Sequence, residues 1–195
     1  MTGVEFVRLA KRVHAHIGQD HRYAHTLRVA RMAVRLARRY GENVERALLA
    51  GMLHDLARLY TPERLLAESR SRGLAVSAFE EAHPRVLHAR LGAELAKEQF
   101  GQSDERILSA IRYHTLGAGT MTTLDAIVYL ADSLEPGRDF EQRADLERLS
   151  FRDLDAAMRA TLLATTAFHG NSGKSIAPET AAAIELFSSK EKKTA

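Results

Sequence analysis

The chain has no cysteine and no tryptophan, only four prolines, and 6% aromatic residues across 195 positions. Without cysteine there is neither a disulfide nor a thiolate ligand, so any metal must be held by nitrogen and oxygen donors. The few aromatics do not interleave with clustered basic residues, which argues against a stacking platform for nucleic acid. No apolar run approaches the roughly 20 residues that cross a bilayer. The N-terminal MTGVEFVRLAKR lacks the uninterrupted hydrophobic stretch of a signal peptide. The expected setting is therefore the cytoplasm, with no membrane partner. Lys and Arg number 28 against 25 Asp and Glu, a formal charge of +3. Because the basic residues are scattered rather than gathered into one stripe, they suit an anionic small molecule better than nucleic acid.

What is present favours helix. Ala, Leu, Arg and Glu dominate over β-branched residues, 45% of the chain is hydrophobic, and no Pro/Gly/Ser-rich linker divides it. One all-α domain is expected. Apolar spacing predicts helices over 4–17 and 20–40, the second capped by Asp20, each closed by a glycine. A third runs from Asn43 through the apolar stretch to His54 and Asp55 and on to about Leu59 or Tyr60. Thr61 and Pro62 then read as N-cap and first residue of a short helix ending at Gly73. The segment 73–84 is mostly connection, with a helical turn over 77–81. Further helices are expected after Pro84 up to Gly101, from Ser103 or Asp104 to His114, and from Leu124 to Asp132, where Pro136 and Gly137 follow as breakers. Helices over 153–169 and 178–187 complete the C-terminal third, and the basic tail 190–195 is expected to fray.

The most informative feature is the adjacent pair His54 and Asp55 in GMLHDLARLY. Neighbours on a helix point about 100° apart, so one imidazole and one carboxylate from a single turn can bind one metal or bridge two. A carboxylate behind an apolar run is costly unless it is paired or metal-bound. His25, His88, His114 and Asp132 also lie at or near apolar helix faces. Singly, each reads as a satisfied core residue sooner than as a ligand. Together the six donors come from five helices, enough for a pair of first-row metals with open water positions, a usual arrangement for phosphoester hydrolysis. His14, His16, His21 and His169 lack such support and read as surface or packing residues. His83, in EEAHP, precedes a proline and stands outside the helix, which leaves it open as a ligand or a supporting group.

The blocks HRYAHTLRVA, AGMLHDLAR, VLHARLGAE, AIRYHTLGAGTMTTLDAIVYLADSLEPGRDF and SIAPETAAAIELF occur in that order between Gln19 and Phe187. In this the chain resembles the HD-domain metal phosphohydrolases, and within them the YqeK-like symmetrical bis(5'-nucleosyl)-tetraphosphatases. The resemblance implies a single HD-type helical bundle, with a metal-binding core over roughly 19–140 and additional C-terminal helices over roughly 141–190. It implies a di-iron centre on His25, His54, Asp55, His88, His114 and Asp132, where manganese, cobalt or nickel also suit the donors. It further implies cleavage of diadenosine tetraphosphate into two ADP by a metal-activated water. Arg58 stands where the family commonly has lysine, and the loop HTLGAG lacks a basic residue usual there.

On that reading His54, Asp55 and Arg58 are catalytic, with Asp55 the natural bridge between metals. Arg58, one turn after His54, and Arg22, three residues before His25, are placed to meet phosphates, and Arg138 is a third candidate. Thr115, Gly117 and Met121 lie in the loop expected to meet the nucleotide. Glu135 is expected to orient Arg138 or cap local backbone. The expected partner is a dinucleoside polyphosphate, and a homodimer stays open. The rival readings are an HD nucleoside monophosphate phosphatase and a non-catalytic nucleotide-sensing module.

Overall fold

The computed structural model describes residues 1–170 and 176–194, the side chains of 169, 170 and 191–194 excepted. Eleven α-helices and no strand occur among the described residues. Thr2 starts α1 (Gly3–Ile17) through a reciprocal capping box with Glu5, and Gly18 ends it in the left-handed region at φ 66°. The long α2 (Asp20–Tyr40) follows at once. Its buried stripe runs from His25 and Thr26 through Val29, Met32 and Ala33 to Leu36 and Ala37, the 3.6-residue period of a helix with one inward face.

Around α2 the other helices close a single core. The helix α3 (Val44–Leu53) lies beside it, and α8 (Thr123–Leu134) covers a second flank. The pair α6 (Leu87–Phe100) and α7 (Glu105–Tyr113) packs against α3 and α8. Between α3 and α6 come α4 (Pro62–Ser71), the short α5 (Ala78–Ala82) and a 3-10 turn over Pro84–Val86. The C-terminal α9 (Arg143–Ser150), α10 (Leu154–Gly170) and α11 (Pro178–Thr194) build outward from α8.

Two glycines set how closely the inner elements approach. A Cβ on Gly51 would sit 2.7 Å from the Cα of Ala30, so α2 and α3 meet backbone to backbone. A Cβ on Gly92 would lie 3.2 Å from the carbonyl oxygen of His54, so α6 presses on the turn that carries the His-Asp pair. Small residues thus draw three histidine-bearing segments together.

Several local expectations change. Asp20 does not cap α2: Gln19 is the N-cap without a side-chain bond, and the Asp20 carboxylate instead pairs with His14 at 2.7 Å. The third helix stops at Leu53, and His54 is its C-cap. The chain then turns through 54–59, because the His54 ring binds back to the Gly51 carbonyl and the turn bonds Arg58 N to Asp55 O. The helix α9 was not foreseen; it is short and has only Leu146 and Ser150 buried, so its apolar period is faint. Helix α11 extends seven residues past Phe187, to Thr194. The tail expected to fray is helical as far as Thr194, and the expectation for His169 falls on a side chain outside the described residues.

Candidate metal centre

Four imidazoles converge on Asp55, and each is fixed from behind. His54 Nδ1 donates to Gly51 O at 2.8 Å, His88 Nδ1 to Arg85 O at 2.6 Å, and His114 Nδ1 to Ile111 O at 2.7 Å. His25 Nδ1 donates to a carboxylate instead, Glu135 Oε1 at 3.0 Å. Since a carbonyl or carboxylate only accepts, every ring carries its proton on Nδ1 and turns the Nε2 lone pair inward. The rings of His25, His54, His114 and His88 form a chain of edge contacts, with centroids 4.9–5.4 Å apart.

Asp55 stands in the middle with one oxygen toward each side. Its Oδ2 lies 3.7 Å from His25 Nε2 and 3.5 Å from His54 Nε2. Its Oδ1 lies 3.4 Å from His88 Nε2 and 3.8 Å from His114 Nε2. Asp132, from α8, joins the first side, with Oδ1 at 3.1 Å from His25 Nε2 and 3.8 Å from His54 Nε2. Three overlapping groups therefore have their ligand atoms within 4.8 Å of one another: His25, His54 and Asp55; His54, His114 and Asp132; Asp55, His88 and His114.

These donors fit a cation for a further reason: their polar atoms are not satisfied by protein. His25 Nε2 and His54 Nε2 are buried with no hydrogen-bond partner, a costly state that a metal relieves. His88 Nε2 and His114 Nε2 lie 3.1 Å apart, each offering a lone pair, and the single Thr115 hydroxyl near both has one proton to share between them.

Electrostatics favour the ligating forms of His54, His114, Asp55 and Asp132. Burial lowers His54, and lowers His114 to about 3, keeping both neutral. Burial also pulls His25 down, but the Asp132 and Glu135 carboxylates beside it outweigh that and raise it, toward the protonated form. Burial opposes charge on Asp55, yet the imidazoles around it, His54 and then His88, hold it well below the usual carboxylate range. Asp132 behaves likewise, with burial overcome by His25 and His54 and by the Arg138 guanidinium. Glu135 is held at about 2: burial is overcome by Arg28, His25 and the Gly137 amide.

The structure thus brings together all six sequence-selected donors. It places the other histidines elsewhere: His14 stacks on Tyr23, His16 binds the Leu56 carbonyl at 2.8 Å, and His21 is exposed. His83 faces Phe79 at 4.6 Å between ring centroids and lines a cleft rather than joining the donor groups. That cleft, of about 510 Å³, opens beside the centre and is lined by Arg58, Thr115 and Tyr129 and by Phe79, Pro84 and Ile176. The Arg58 guanidinium is half-buried there and makes no hydrogen bond or ion pair among the described residues.

The other arginines are occupied differently. Arg22 Nη1 reaches to 3.6 Å from Asp55 Oδ2, and Arg138 Nη2 binds Asp132 Oδ1 at 2.5 Å. Gly117, at φ 72°, lies between Ala183 of α11 and Met121, and both loop residues stand outside the cleft lining. The Glu135 carboxylate does not orient the Arg138 side chain, but it does cap local backbone, the other expected role, by accepting from Gly137 N; the Arg138 N–H bonds the Glu135 carbonyl at 2.9 Å. Glu135 also takes the Arg28 guanidinium and His25, a part in the site that escaped the sequence reading. The only sequence signal was its position three residues after Asp132, one helical turn on.

A buried cage of four Nδ1-anchored histidines around a two-faced aspartate defines the class. Residues 22–137 match the HD domain, and the chain belongs to that family. Within it, the chain groups with the symmetrical bis(5'-nucleosyl)-tetraphosphatases. It is 34% identical to the protein of that name from Bacillus subtilis over 83% of this chain and 86% of the relative. It is also 34% identical to the one from Halalkalibacterium halodurans, over 84% and 87%. A crystal structure of a predicted HD superfamily hydrolase involved in NAD metabolism from Clostridium acetobutylicum superposes with a TM-score of 0.91 at 31% identity, covering 95% of this chain and 97% of that one. Among the described residues no helix is long and apolar enough to cross a membrane.

Proposed function

We propose that the protein is a metal-dependent hydrolase that splits diadenosine tetraphosphate symmetrically into two ADP. The observation that carries the reading is Asp55, whose two oxygens each face a separate pair of inward Nε2 atoms. His25, His54 and Asp132 with Asp55 Oδ2 would hold one divalent cation, and His88 and His114 with Asp55 Oδ1 a second. Iron is the metal implied by the family resemblance, and manganese, cobalt and nickel suit the same nitrogen and oxygen set. Bound there, two cations supply Lewis acidity for the phosphoryl oxygens and acidify a water to the attacking nucleophile.

The chain's own residues do the rest. Arg58 meets a phosphate at the inner end of the cleft; burial lowers its guanidinium from the ordinary value, yet leaves it a cation with no partner of its own. Arg22, beside Asp55, adds positive charge on the other side of the pair. Arg138 keeps Asp132 ionised and aimed inward through two contacts, Nη2 to Oδ1 and Nε to the backbone carbonyl at 2.9 Å. The Thr115 hydroxyl, 3.1–3.2 Å from the Nε2 atoms of His88 and His114, faces the same space. Apolar walls from Phe79, Pro84, Val86 and Ile176 give one nucleoside a dry seat. The relatives named as symmetrical tetraphosphatases support the choice of substrate.

The test is product analysis by anion exchange after incubation with diadenosine tetraphosphate, with iron or manganese and with chelator. Metal-dependent ADP as sole product is expected. AMP with ATP would keep the hydrolase and reject attack at the central linkage. Turnover of AMP or dAMP alone would replace the reading with a monophosphatase.

A further inference from the structure

The C-terminal block SIAPETAAAIELF supplies none of the six donors, yet it reaches the site. Ala177, Thr180, Ala183 and Phe187 recur at helical spacing, on α11 or just before it, and all four are buried. Ala177 and Thr180 line the 510 Å³ cleft together with Thr115 and Leu116. Helix α11 and the turn that follows His114 therefore meet in the cleft wall.

That turn is fastened at one peptide unit, between Leu116 and Gly117. Its N–H, on Gly117, donates to Tyr113 O at 2.9 Å, and its carbonyl, Leu116 O, accepts the Thr180 hydroxyl at 2.9 Å. One polar end is thus held by α7 and the other by α11. The approach needs glycine: Gly117 has φ 72°, and a Cβ there would lie 2.9 Å from Ala183 Cβ. A Cβ on Gly119 would lie 3.3 Å from Ala182 Cβ, so the loop rests on the small residues of α11 at two points. Thr115 comes one residue before the fastened peptide. Its hydroxyl is 3.2 Å from His88 Nε2 and 3.1 Å from His114 Nε2. With those two lone pairs engaged by a cation, the hydroxyl proton is left for a phosphoryl oxygen in the cleft.

We propose that Thr180 is a positioning residue of the hydrolytic site. Through the Leu116 carbonyl it holds the turn that aims the Thr115 hydroxyl at His88 and His114 and, in the loaded enzyme, at substrate phosphate. The proposal rests on the hydrolase reading above and gives the C-terminal helix a part in it. A packing role would use only the Thr180 methyl, whereas the bond to Leu116, 64 positions away in the chain, uses the hydroxyl. Removing the hydroxyl alone separates the two roles.

Double-variant kinetics and nitrogen-15 spectroscopy test this. Thr180→Val keeps the branched shape without the hydroxyl, and Thr180→Ser keeps the hydroxyl; each is first checked for a cooperative melting curve. Loss of one hydrogen bond to a phosphoryl oxygen should lower kcat/KM for diadenosine tetraphosphate about tenfold in Thr115→Val. Thr180→Val should lower it about threefold, and Thr180→Ser should restore it. Because Thr180 acts through Thr115, the variant carrying both valines should stay at a loss of about tenfold, where independent effects would multiply to about thirtyfold. A multiplied loss, a serine variant as slow as the valine one, or wild-type rates in Thr115→Val or Thr180→Val would overturn the proposal. The second readout needs neither metal nor turnover. In metal-free protein the Nε2 signals of His88 and His114 should shift in Thr180→Val in the same direction as in Thr115→Val, and signals that stay at their wild-type positions in Thr180→Val refute the positioning role. If wild-type protein leaves diadenosine tetraphosphate intact, the tetraphosphatase reading falls, and these shifts still decide what Thr180 does.

Discussion

Glu135 touches no proposed metal position, yet its removal is expected to weaken the site. Its Oε1 accepts His25 Nδ1 at 3.0 Å and Arg28 Nη2 at 3.2 Å, while Oε2 accepts Arg28 Nε and Gly137 N, both at 2.5 Å. In Glu135→Gln one of those two oxygens becomes an NH2 group. Whichever way the amide turns, an N–H then faces either the His25 ring or the Arg28 and Gly137 donors. His25 loses the only charged anchor among the four imidazoles. Substitutions of this kind cost about 10–100-fold in metal affinity, or about 1.4–2.7 kcal/mol. A buried donor left unpaired costs a further ~1–3 kcal/mol of stability, about 2–4 °C in melting temperature per kcal/mol for a chain of this size. Equilibrium dialysis against graded chelator, with metal read by elemental analysis, measures the first effect, and melting of metal-free protein measures the second. Glu135→Asp should fall between wild type and the amide. Wild-type metal retention in Glu135→Gln would refute the argument that this carboxylate positions His25.

Asp55→Asn removes the charge between the two sides and should lose both cations on dialysis, together with turnover; a variant that keeps two metals per chain would contradict the bridging assignment. Arg58→Ala leaves no broken ion pair behind, so its melting temperature should barely move, while kcat/KM falls about 10–150-fold through loss of a charged hydrogen bond to phosphate. Gly51→Ala forces a methyl against the Ala30 backbone and should destabilise by about 1–3 kcal/mol, seen as a lower melting temperature; an unchanged melt would show that the α2–α3 contact yields easily. For pH, Glu80 is 3% exposed, and its carboxylate accepts Ser77 N at 2.8 Å and Arg90 Nη1 at 2.6 Å. Burial alone would raise it, but these partners win and its value lies below the ordinary 4.5. A depressed acid contributes stability above its unfolded value and loses it as pH falls through the folded one. Urea unfolding should therefore show wild type more stable than Glu80→Gln at pH 7, with the gap closing below about 4.5; a gap that widens on acidification would reverse the sign.

The helices were legible where one apolar face was long and its ends were marked. Gly18, Gly41 and Gly101 each end a helix at φ near 67°, the conformation their lack of a Cβ permits. Thr61 with Pro62, and Asp104, mark the starts of α4 and α7. Legibility failed where tertiary contacts override local preference. Through residues 54–59 the apolar pattern continues past Leu53, and the regular helix ends because the His54 ring bonds the Gly51 carbonyl. Helix α9 buries too little to show a period. In the site, the donor residues could be picked by type and order, but Glu135 could not be tied to His25, 110 positions away in the chain.

The sequence by itself determined the chemistry available: with no cysteine, the donors had to be imidazole and carboxylate, and an acid behind an apolar run had to be paired. It also set most of the helical segments, α9 and the end of α3 excepted, because the 3.6-residue period of apolar side chains is local information. Only the tertiary structure decided which histidines share a centre, which face of Asp55 each one meets, and that every Nδ1 is anchored so that every Nε2 points inward. It also separated Arg58, whose guanidinium has no partner among the described residues, from Arg138, which is spent on Asp132. Those properties depend on distances of a few ångströms between residues tens of positions apart, and such distances are fixed by the packing of whole helices at points such as Gly51 and Gly92.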